Sequence, residues 1–377
     1  MNWKVQLFEL NYDETEARAV EEVVRGGWLA MGEKTKAFEE RFAALLGPGC
    51  QAIAVSSGTA ALHMALLALG VGPGDEVILS GLTFIADANV VRMVGARPVL
   101  ADCASFDDWN IDPADLERKI TAKTRALIAV HYAGYPCDME ALETVCAPRR
   151  VAIIEDAAHA IGASYKGRPC GAFGEVGCFS FFANKNLSVG EGGMYVSRSE
   201  ELARRGRHLR SHGMSTLTLD RHQGRAISYD VLAPGLNYRI DEIRAALGLV
   251  QLDRLKQANA ARKKLTLQYR ELLAGVAGLS VPFLGLEDRE PSYHIFPVLL
   301  GEKIDRTRTI QALRERGIQT SIHYPAIQQF TAYRSLELGA TPIANAISER
   351  ELTLPLYPTM SSAQVELVVR SLKEALA

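Results

Sequence analysis

The chain has 377 residues, of which 48% are hydrophobic and 23% are charged, and these proportions are typical of a folded, soluble protein. Its formal net charge is only −2, which does not favour nucleic acid or an anionic membrane as the main partner, because both usually require a basic excess. The length is too great for one ordinary core and suits two packed units.

The first two thirds of the sequence predict an α/β fold with a mostly parallel central sheet. Short apolar runs alternate with helical patterns, and several runs are continuous, as expected for strands covered on both faces. Helices are expected at residues 59–69 and 113–120, the second with Asp112 as N-cap and Pro113 at the first helical position. Strands that alternate with helices indicate parallel pairing. The predicted strands are residues 52–56, 76–79, 98–101, 126–130, 151–155, 178–182 and 194–197.

The last third of the sequence predicts a linking helix and a smaller α/β domain. Residues 241–274 carry helical periodicity over a length that suits one or two long helices. The extended runs and helices expected after them are residues 281–283, 293–300, 306–316 and 362–376. We therefore expect an N-terminal segment with a large domain over residues 1–250, and the linking helix with a small C-terminal domain over residues 251–377.

Three features of the sequence bear on its location. The longest apolar run, at residues 60–69, is far shorter than the roughly 20 residues that a membrane-spanning helix needs. The N-terminus lacks a basic region followed by an apolar one, so it does not resemble a secretion signal. The six cysteines form no C-x-x-C pair, which fits reduced and mostly buried thiols. We expect a cytoplasmic protein without a membrane partner.

The first candidate binding motif is Ser56-Ser57-Gly58-Thr59, where a predicted strand ends in small residues and a helix begins. Free backbone N–H groups and the partial positive charge of a helix N-terminus favour a phosphate. The hydroxyl of Ser57 or Thr59 can add a hydrogen bond. The same residue types are also common at an ordinary N-cap, so this motif alone leaves both interpretations open.

The second motif is Glu155-Asp156-Ala157-Ala158-His159, at the end of an apolar strand. Ligands in open α/β sheets bind beyond the carboxyl ends of the strands. A carboxylate there can hold a protonated ring nitrogen, and the imidazole of His159 can stack on the ring. The Asp-x-x-His spacing also suits two metal ligands, but no further ligands cluster nearby, so we expect no metal site. A helix cap followed by a satisfied histidine is the structural alternative.

The third motif places Lys185 in a turn between an apolar strand and Gly190-Glu191-Gly192-Gly193, with Ser180 five residues before it. A lysine in a partly desolvated pocket has a lowered pKa and can form a Schiff base, although a lone loop lysine is normally solvated. A phosphate cradle, an acid for a pyridinium nitrogen and a Schiff-base lysine together are the parts that hold pyridoxal phosphate. Their order on successive strands predicts that they meet at one edge of the sheet.

In combination these motifs resemble the DegT/DnrJ/EryC1/StrS family of sugar aminotransferases, which has the aspartate-aminotransferase-like fold (fold type I of the pyridoxal-phosphate enzymes). The similarity covers nearly the whole chain. Ala183 and Asn184, just before the lysine, depart from the Pro-Thr or similar pair expected there. The matching segments are Gly27-Trp28-Leu29 with Gly32, Phe38-Glu39, Ser56-Ser57-Gly58-Thr59, Thr83-Phe84, Glu155-Asp156-Ala157-Ala158-His159, Gly190-Glu191-Gly192-Gly193, Gly235-Leu236-Asn237-Tyr238-Arg239 and Leu354-Pro355-Leu356.

The resemblance implies roles in cofactor binding and catalysis for a subset of these positions and for Lys185 and Ser180. Lys185 would carry the cofactor as a Schiff base and move the proton during catalysis, while Asp156 would pair with the ring nitrogen. Phe84 and His159 would lie against the two faces of the ring. Asn237 would reach the phosphate from the neighbouring subunit of a homodimer with a shared active site. The phosphate of the same subunit would be bound by Gly58, Thr59 and Ser180.

The resemblance also implies the reaction, which is transfer of an amino group from L-glutamate, by way of pyridoxamine phosphate, to a nucleotide-linked keto sugar. An NDP-4-keto-6-deoxyhexose aminated at C4 is the expected acceptor; amination of a 3-keto sugar nucleotide at C3, or of a keto-inositol, is the alternative. Arg239 is expected to bind the pyrophosphate, and His323 with Tyr324 to line the sugar side. An interface salt bridge for Arg239 and a core position for His323 are equally open.

Two other functions are compatible with the same fold. Sugar dehydratases that use pyridoxamine phosphate resemble this family but have histidine in place of the lysine, so Lys185 disfavours them, and the scattered cysteines disfavour an iron–sulfur version. A regulator that merely binds the cofactor would need an added DNA-binding module, for which the two expected domains leave no room.

Overall fold

The structure is a computed structural model that describes residues 3–216 and 223–376. Its strands are β1 (Gln51–Val55), β2 (Glu76–Ser80), β3 (Arg97–Ala101), β4 (Thr124–Val130), β5 (Ala152–Asp156), β6 (Ser164–Tyr165), β7 (Arg168–Pro169), β8 (Val176–Ser180), β9 (Gly193–Ser197), β10 (Leu279–Ser280), β11 (Arg289–Glu290), β12 (Phe296–Leu300) and β13 (Glu351–Leu354). Its α-helices are α1 (Glu14–Gly26), α2 (Glu33–Leu46), α3 (Gly58–Ala68), α4 (Ile85–Met93), α5 (Pro113–Lys119), α6 (Met139–Cys146), α7 (Glu200–Arg210), α8 (Glu242–Leu273), α9 (Arg306–Glu315), α10 (Pro342–Arg350) and α11 (Ser362–Leu376).

The largest sheet in the described part of the chain has seven strands in the order β1-β9-β8-β5-β4-β2-β3. The strands from β8 to β3 pair in parallel, whereas β9 runs antiparallel to both of its neighbours. β2 and β9 are buried along their whole length, as expected for strands covered by helices on both faces. The predicted α/β fold with a mostly parallel sheet is confirmed, and each predicted strand of this sheet agrees with the observed one within two residues.

Capping residues set the boundaries of the two helices that the sequence predicts most clearly. Asp112 accepts the backbone N–H groups of the first turn of α5, and Pro113 occupies the first turn. The segment that suited one or two helices forms the single helix α8, capped by Asp241. Its internal Gly248 faces Phe38 of α2, and a Cβ at this position would lie 2.6 Å from the phenyl ring. The glycine therefore allows close packing of two helices and does not interrupt α8.

A smaller antiparallel sheet has the strand order β10-β12-β13. The extended run predicted at residues 281–283 is not a strand, because β10 ends at Ser280 and Phe283 has a positive φ of 63°. The Phe283 ring packs on the Tyr135 ring with 4.3 Å between centroids. The apolar character of this run thus comes from a side chain inserted into the core and not from strand pairing.

One hydrophobic cluster joins the two parts of the molecule, since it contains Trp109 and Tyr132 near the large sheet together with Val298 and Leu354 of the small sheet. The domain boundary expected at residue 250 falls inside α8. No helix in the described ranges is both long and apolar enough to cross a membrane.

Candidate active site

A cradle for an anion forms where β1 ends and α3 begins. Ser57 is the N-cap of α3, and its Oγ accepts the Ala60 N–H at 3.0 Å. Gly58 and Thr59 follow in the first turn, where an α-helix offers no carbonyl partner to the backbone N–H groups. A Cβ on Gly58 would lie 2.9 Å from the Ser180 Cβ. The structure therefore brings Ser180 against the predicted phosphate site, and glycine permits that approach.

Asp156 ends β5 at the same edge of the sheet, and it is buried. Its Oδ1 accepts the Ala158 N–H at 2.9 Å. Burial raises the pKa of Asp156, while this hydrogen bond and the charge of Lys185 act in the opposite direction. A cation placed at the free side of the carboxylate would stabilise its charged form further.

Lys185 lies in the turn after β8, where its backbone N–H donates to the Phe182 carbonyl at 2.9 Å. Burial lowers the pKa of the Lys185 ammonium to about 8, and the charge of Asp156 only partly opposes this shift. An amine with this pKa is neutral in a substantial fraction of molecules near neutral pH. It can therefore act both as a nucleophile towards an aldehyde and as a base.

His159 presents a flat, uncharged ring beside these groups. Its Nδ1 accepts the Ala133 N–H at 3.3 Å, and its Nε2 lies 2.9 Å from the Tyr324 hydroxyl. Burial and the nearby Lys185 charge lower the pKa of His159 well below its usual value. A neutral imidazole can stack on a pyridinium ring without charge repulsion, which is the property that the predicted stacking role requires.

Phe84 lies beside these groups, at the N-cap position of α4. Its side chain is 53% exposed, and its ring centroid lies 5.5 Å from that of Tyr324. Because Tyr324 also contacts His159, the two residues predicted as walls for the cofactor ring are linked through one tyrosine.

Two residues near the lysine are absent from the sequence-based prediction. Asn186 donates from Nδ2 to Asn259 Oδ1 and to the Ser292 carbonyl, each at 2.8 Å, and its Oδ1 lies 2.9 Å from His294 Nδ1. The His294 ring is 4.3 Å from the His159 ring between centroids. Asn186 thus connects the lysine turn to α8 by a hydrogen bond, and the His294 ring packs against the His159 ring. The hydrogen-bond partners of Asn186 and His294 lie far away in the sequence. The position of Asn186 directly after the lysine is the one feature of the sequence that could have indicated its role.

His323 has the contacts of a core histidine. Its Nδ1 lies 2.8 Å from Thr353 Oγ1, and its backbone N–H donates to Glu351 Oε2 at 2.7 Å. Burial lowers the pKa of His323 to about 3. Tyr324, by contrast, contacts two predicted cofactor-binding residues, His159 through its hydroxyl and Phe84 through its ring.

Asn237 and Arg239 lie on a segment that pairs with β1 and with the end of α7. The Asn237 side chain is exposed in the single chain. Arg239 is half-buried, and its Nη1 has no hydrogen-bond partner among the described residues. Burial, with a smaller contribution from Arg210, lowers the pKa of Arg239. The Asn237 side chain is therefore available to groups from outside this chain, whereas Nη1 of Arg239 is shielded by the chain itself.

The assembled groups fit pyridoxal phosphate. Backbone N–H groups at the start of α3 suit a phosphate, the carboxylate of Asp156 suits a protonated ring nitrogen, and the amine of Lys185 suits the aldehyde. His159 and Phe84 supply aromatic surfaces for a flat ring. The groups of three or more side chains that would hold a metal ion are absent from residues 3–216 and 223–376.

Comparison with known proteins identifies the family. Residues 11–373 match the DegT/DnrJ/EryC1/StrS aminotransferase family. The chain belongs to this family. Its members' fold and chemistry agree with the site described above, and the chain is accordingly a pyridoxal-phosphate-dependent aminotransferase. The family resemblance, the fold type and the cofactor expected from the sequence are confirmed.

Solved structures of other proteins described as aminotransferases are similar over nearly the whole length of this chain. The aminotransferase TlmJ from Streptoalloteichus hindustanus is 34% identical, with a TM-score of 0.91 over 100% of this chain and 99% of that one. Spr1654 from Streptococcus pneumoniae, solved in a PMP form, is 32% identical with a TM-score of 0.90 over 100% and 98%. The sugar aminotransferase CalS13 from Micromonospora echinospora is 29% identical with a TM-score of 0.88 over 98% and 99%.

Proposed function

We propose that this aminotransferase takes an amino group from L-glutamate and transfers it to the keto group of a nucleotide-linked sugar. The acceptor is an NDP-4-keto-6-deoxyhexose, which is aminated at C4. The sugar class is supported by CalS13, which is described as a sugar aminotransferase and is similar along its whole length. The nucleotide part rests on the family resemblance and on the half-buried Arg239, because guanidinium groups bind phosphate oxygens well.

The observation that carries this proposal is the amine of Lys185, whose pKa of about 8 leaves it able to take up and release a proton near neutral pH. When bound, pyridoxal phosphate supplies an electron sink for the electrons of the bond that is broken at carbon. Lys185 Nζ takes the proton from Cα of glutamate. In the second half of the reaction, it gives a proton to the sugar carbon that receives the amine.

The other residues hold the reacting groups in place. The Asp156 carboxylate would accept a hydrogen bond from the ring nitrogen and keep it protonated, which would maintain the electron sink. The Gly58 and Thr59 amides would bind the phosphate, and the neutral ring of His159 would stack on the cofactor ring. A lysine at position 185 favours amino transfer over dehydration, because the related dehydratases have a histidine there.

We propose in addition that the active enzyme is a homodimer in which Asn237 of each subunit completes the site of the other. The single chain exposes apolar side chains close to Asn237 in the sequence, among them Val231 and Leu232 at 54% each. Clustered exposed apolar residues usually mark an interface. A partner subunit on this surface would cover them and bring the exposed Asn237 amide to a second phosphate site.

The proposal is tested with the holoenzyme in two half-reactions. L-glutamate is added first, and the loss of the visible absorbance of bound pyridoxal phosphate is followed. After glutamate is removed, candidate keto sugars linked to nucleotides are added separately, and the aminated product is identified by mass spectrometry. 2-Oxoglutarate serves as the control that must restore the absorbance.

We expect an NDP-4-keto-6-deoxyhexose to restore the absorbance and to yield a C4-amino sugar. If 2-oxoglutarate restores it but no nucleotide-linked keto sugar does, the assigned acceptor class is wrong. If glutamate leaves the spectrum unchanged, the assigned donor is wrong.

A further inference from the structure

Asp87 is a buried carboxyl group three residues after Phe84, and the proposed reaction does not use it. It lies in the first turn of α4 and is completely buried. Thr83 Oγ1 lies 2.5 Å from its Oδ2, whereas its Oδ1 has no hydrogen-bond partner in the described part of the chain. One hydroxyl group does not compensate the cost of burying an ionised carboxylate with an unsatisfied oxygen.

The electrostatic surroundings of Asp87 also oppose its ionisation. Burial raises the pKa of Asp87 well above the usual carboxyl range, and the charge of Asp156 raises it further. The other titratable groups that act on or respond to it are Cys178 of β8 and Tyr324, and burial raises the pKa values of both. His63 of the adjacent helix α3 points instead at the Tyr238 hydroxyl, 3.0 Å away. Asp87 therefore faces an anion and neutral groups.

We propose that Asp87 and Asp156 form an acid pair that carries one negative charge at neutral pH, with the proton held by Asp87. Two carboxyl groups in one site commonly share a proton, because ionisation of the first opposes ionisation of the second. Asp87 is then a positioning residue, which stays neutral and acts on the cofactor only through Asp156. Asp156 remains the single counter-ion that the pair offers to the ring nitrogen.

This inference rests on the proposed function only in the role given to Asp156, since the protonation of Asp87 is a property of the protein without its cofactor. The substitution Asp87→Asn is the sharpest probe, because an amide has nearly the size of a carboxyl group but is always neutral. Asp156→Asn is the second variant, because it removes the neighbouring charge.

The first measurement is infrared difference spectroscopy of the apoprotein, with wild type compared with Asp87→Asn at pH 7. We expect a C=O stretching band of a protonated carboxyl group that the variant lacks. Glu351, whose pKa burial raises to about 8, supplies a band that remains in both proteins and serves as internal reference. In Asp156→Asn, the Asp87 band should disappear at a lower pH than in wild type. Absence of the Asp87 band from wild type at pH 7 overturns the proposal.

The second measurement is the urea midpoint of the same apoproteins between pH 5 and pH 8. A carboxyl group with a raised pKa in the folded state stabilises the fold fully below its unfolded pKa of about 3.9, and this contribution is lost as pH rises towards the folded pKa. The asparagine cannot lose a proton. As pH rises, the urea midpoint of Asp87→Asn should therefore increase relative to the urea midpoint of wild type. A difference that stays constant across this range contradicts the proposal.

The third measurement is the affinity for pyridoxal phosphate at pH 7. A neutral Asp87 predicts that Asp87→Asn binds the cofactor within about twofold of wild type, because the charge of the site is unchanged. A loss of about tenfold or more, with the apoprotein intact, would mean that Asp87 acts as a second anion towards the cofactor. The two apoprotein measurements do not depend on amino transfer, so failure of this proposal and failure of the proposed reaction can be told apart.

Discussion

Around Lys185, burial and charge act on the same amine in opposite directions. Removal from water lowers its pKa to about 8, while the Asp156 carboxylate favours the charged form. The two nearby histidines, His159 and His294, are kept neutral because burial lowers their pKa values well below the usual range. Burial therefore makes the Lys185 amine more reactive. The histidine rings beside it are neutral, so they add no further positive charge to the site.

The pH dependence of cofactor attachment tests this balance. The rate at which the apoprotein reacts with pyridoxal phosphate should rise with pH with a midpoint near 8, because the neutral amine of Lys185 is the nucleophile. Asp156→Asn should move the midpoint to lower pH, since it removes the charge that stabilises the ammonium. Rates are measured by stopped-flow absorbance.

The exposed Asp253, which pairs with Arg41 on the surface, provides the matched control for the loss of one negative charge. Asp253→Asn should leave the midpoint unchanged. A wild-type midpoint close to the ordinary lysine pKa of about 10.4 would contradict the assigned environment of Lys185.

Sequence and structure agree best for residues whose roles follow from short motifs. Gly58 and Asp156 lie at the ends of apolar strands and Lys185 lies in the turn after another, so their shared location follows from the common direction of these strands. The contact between Asn186 and His294 spans 108 residues, and no local pattern indicates it. Asp87 escaped prediction for the same reason, because its environment depends on a strand end from another part of the chain.

Among the secondary-structure elements, strands were predicted closely because buried parallel strands are continuous apolar runs. The antiparallel direction of β9 was not predicted, since an apolar run has the same appearance in either direction. The strand predicted at the run that ends at Phe283 is wrong, because an aromatic residue inserted into the core has the same apolar character as a residue in a buried strand. The prediction of helix α8 is confirmed, since helical periodicity is a local property of the sequence.

Glu242 in the first turn of α8 serves as a cap for α2, whose own N-cap residue, Gly32, has no side chain. The Glu242 carboxylate is buried and accepts backbone N–H groups from Gly32, Lys34 and Thr35 at 2.8 to 2.9 Å. Glu242→Ala would leave these donors unsatisfied, and we expect it to lower the free energy of unfolding by about 3 kcal/mol. Urea denaturation measures the change.

The control for that substitution is the exposed Glu33, in the first turn of α2. Glu33→Ala should change the free energy of unfolding by no more than about 0.5 kcal/mol. Equal effects of the two substitutions would show that Glu242 does not cap α2.

At the scale of the whole molecule, α8 and one shared hydrophobic cluster connect the large sheet to the small one. The α/β class and the smaller C-terminal sheet were predictable, because periodicity changes along the chain. The way in which the parts share a core was not predictable, since Trp109, Tyr132 and Phe283 meet only through tertiary contacts. Exposed apolar residues lie near Asn237 in the sequence, and we interpret them as the surface that the second subunit covers.

Mixing two inactive variants tests the proposed dimer. Lys185→Ala and Asn237→Ala should each have low activity alone, the first without its base and the second with a weakened phosphate site. In a mixed dimer, one site combines an intact Lys185 with the partner's intact Asn237. Random mixing after unfolding and refolding should restore about a quarter of wild-type activity, since half of the dimers are mixed and each has one intact site.

The activity of the mixture is compared with that of each variant refolded alone, and the mass of the assembly is measured by light scattering. If the mixture is no more active than the variants, Asn237 does not act across the subunit interface. A monomeric mass with full activity would show that the active enzyme is not a dimer.

The role of Lys185 is tested most directly by locating the lysine that carries the cofactor. The holoenzyme is reduced with borohydride, digested and examined by mass spectrometry, and turnover and visible absorbance are measured in parallel for Lys185→Ala. We predict that the pyridoxyl group is attached to the peptide that contains Lys185, and that Lys185→Ala loses both the absorbance and turnover. Attachment to a different lysine, or a Lys185→Ala variant that keeps its absorbance and its activity, would contradict the assignment of Lys185 as the working residue.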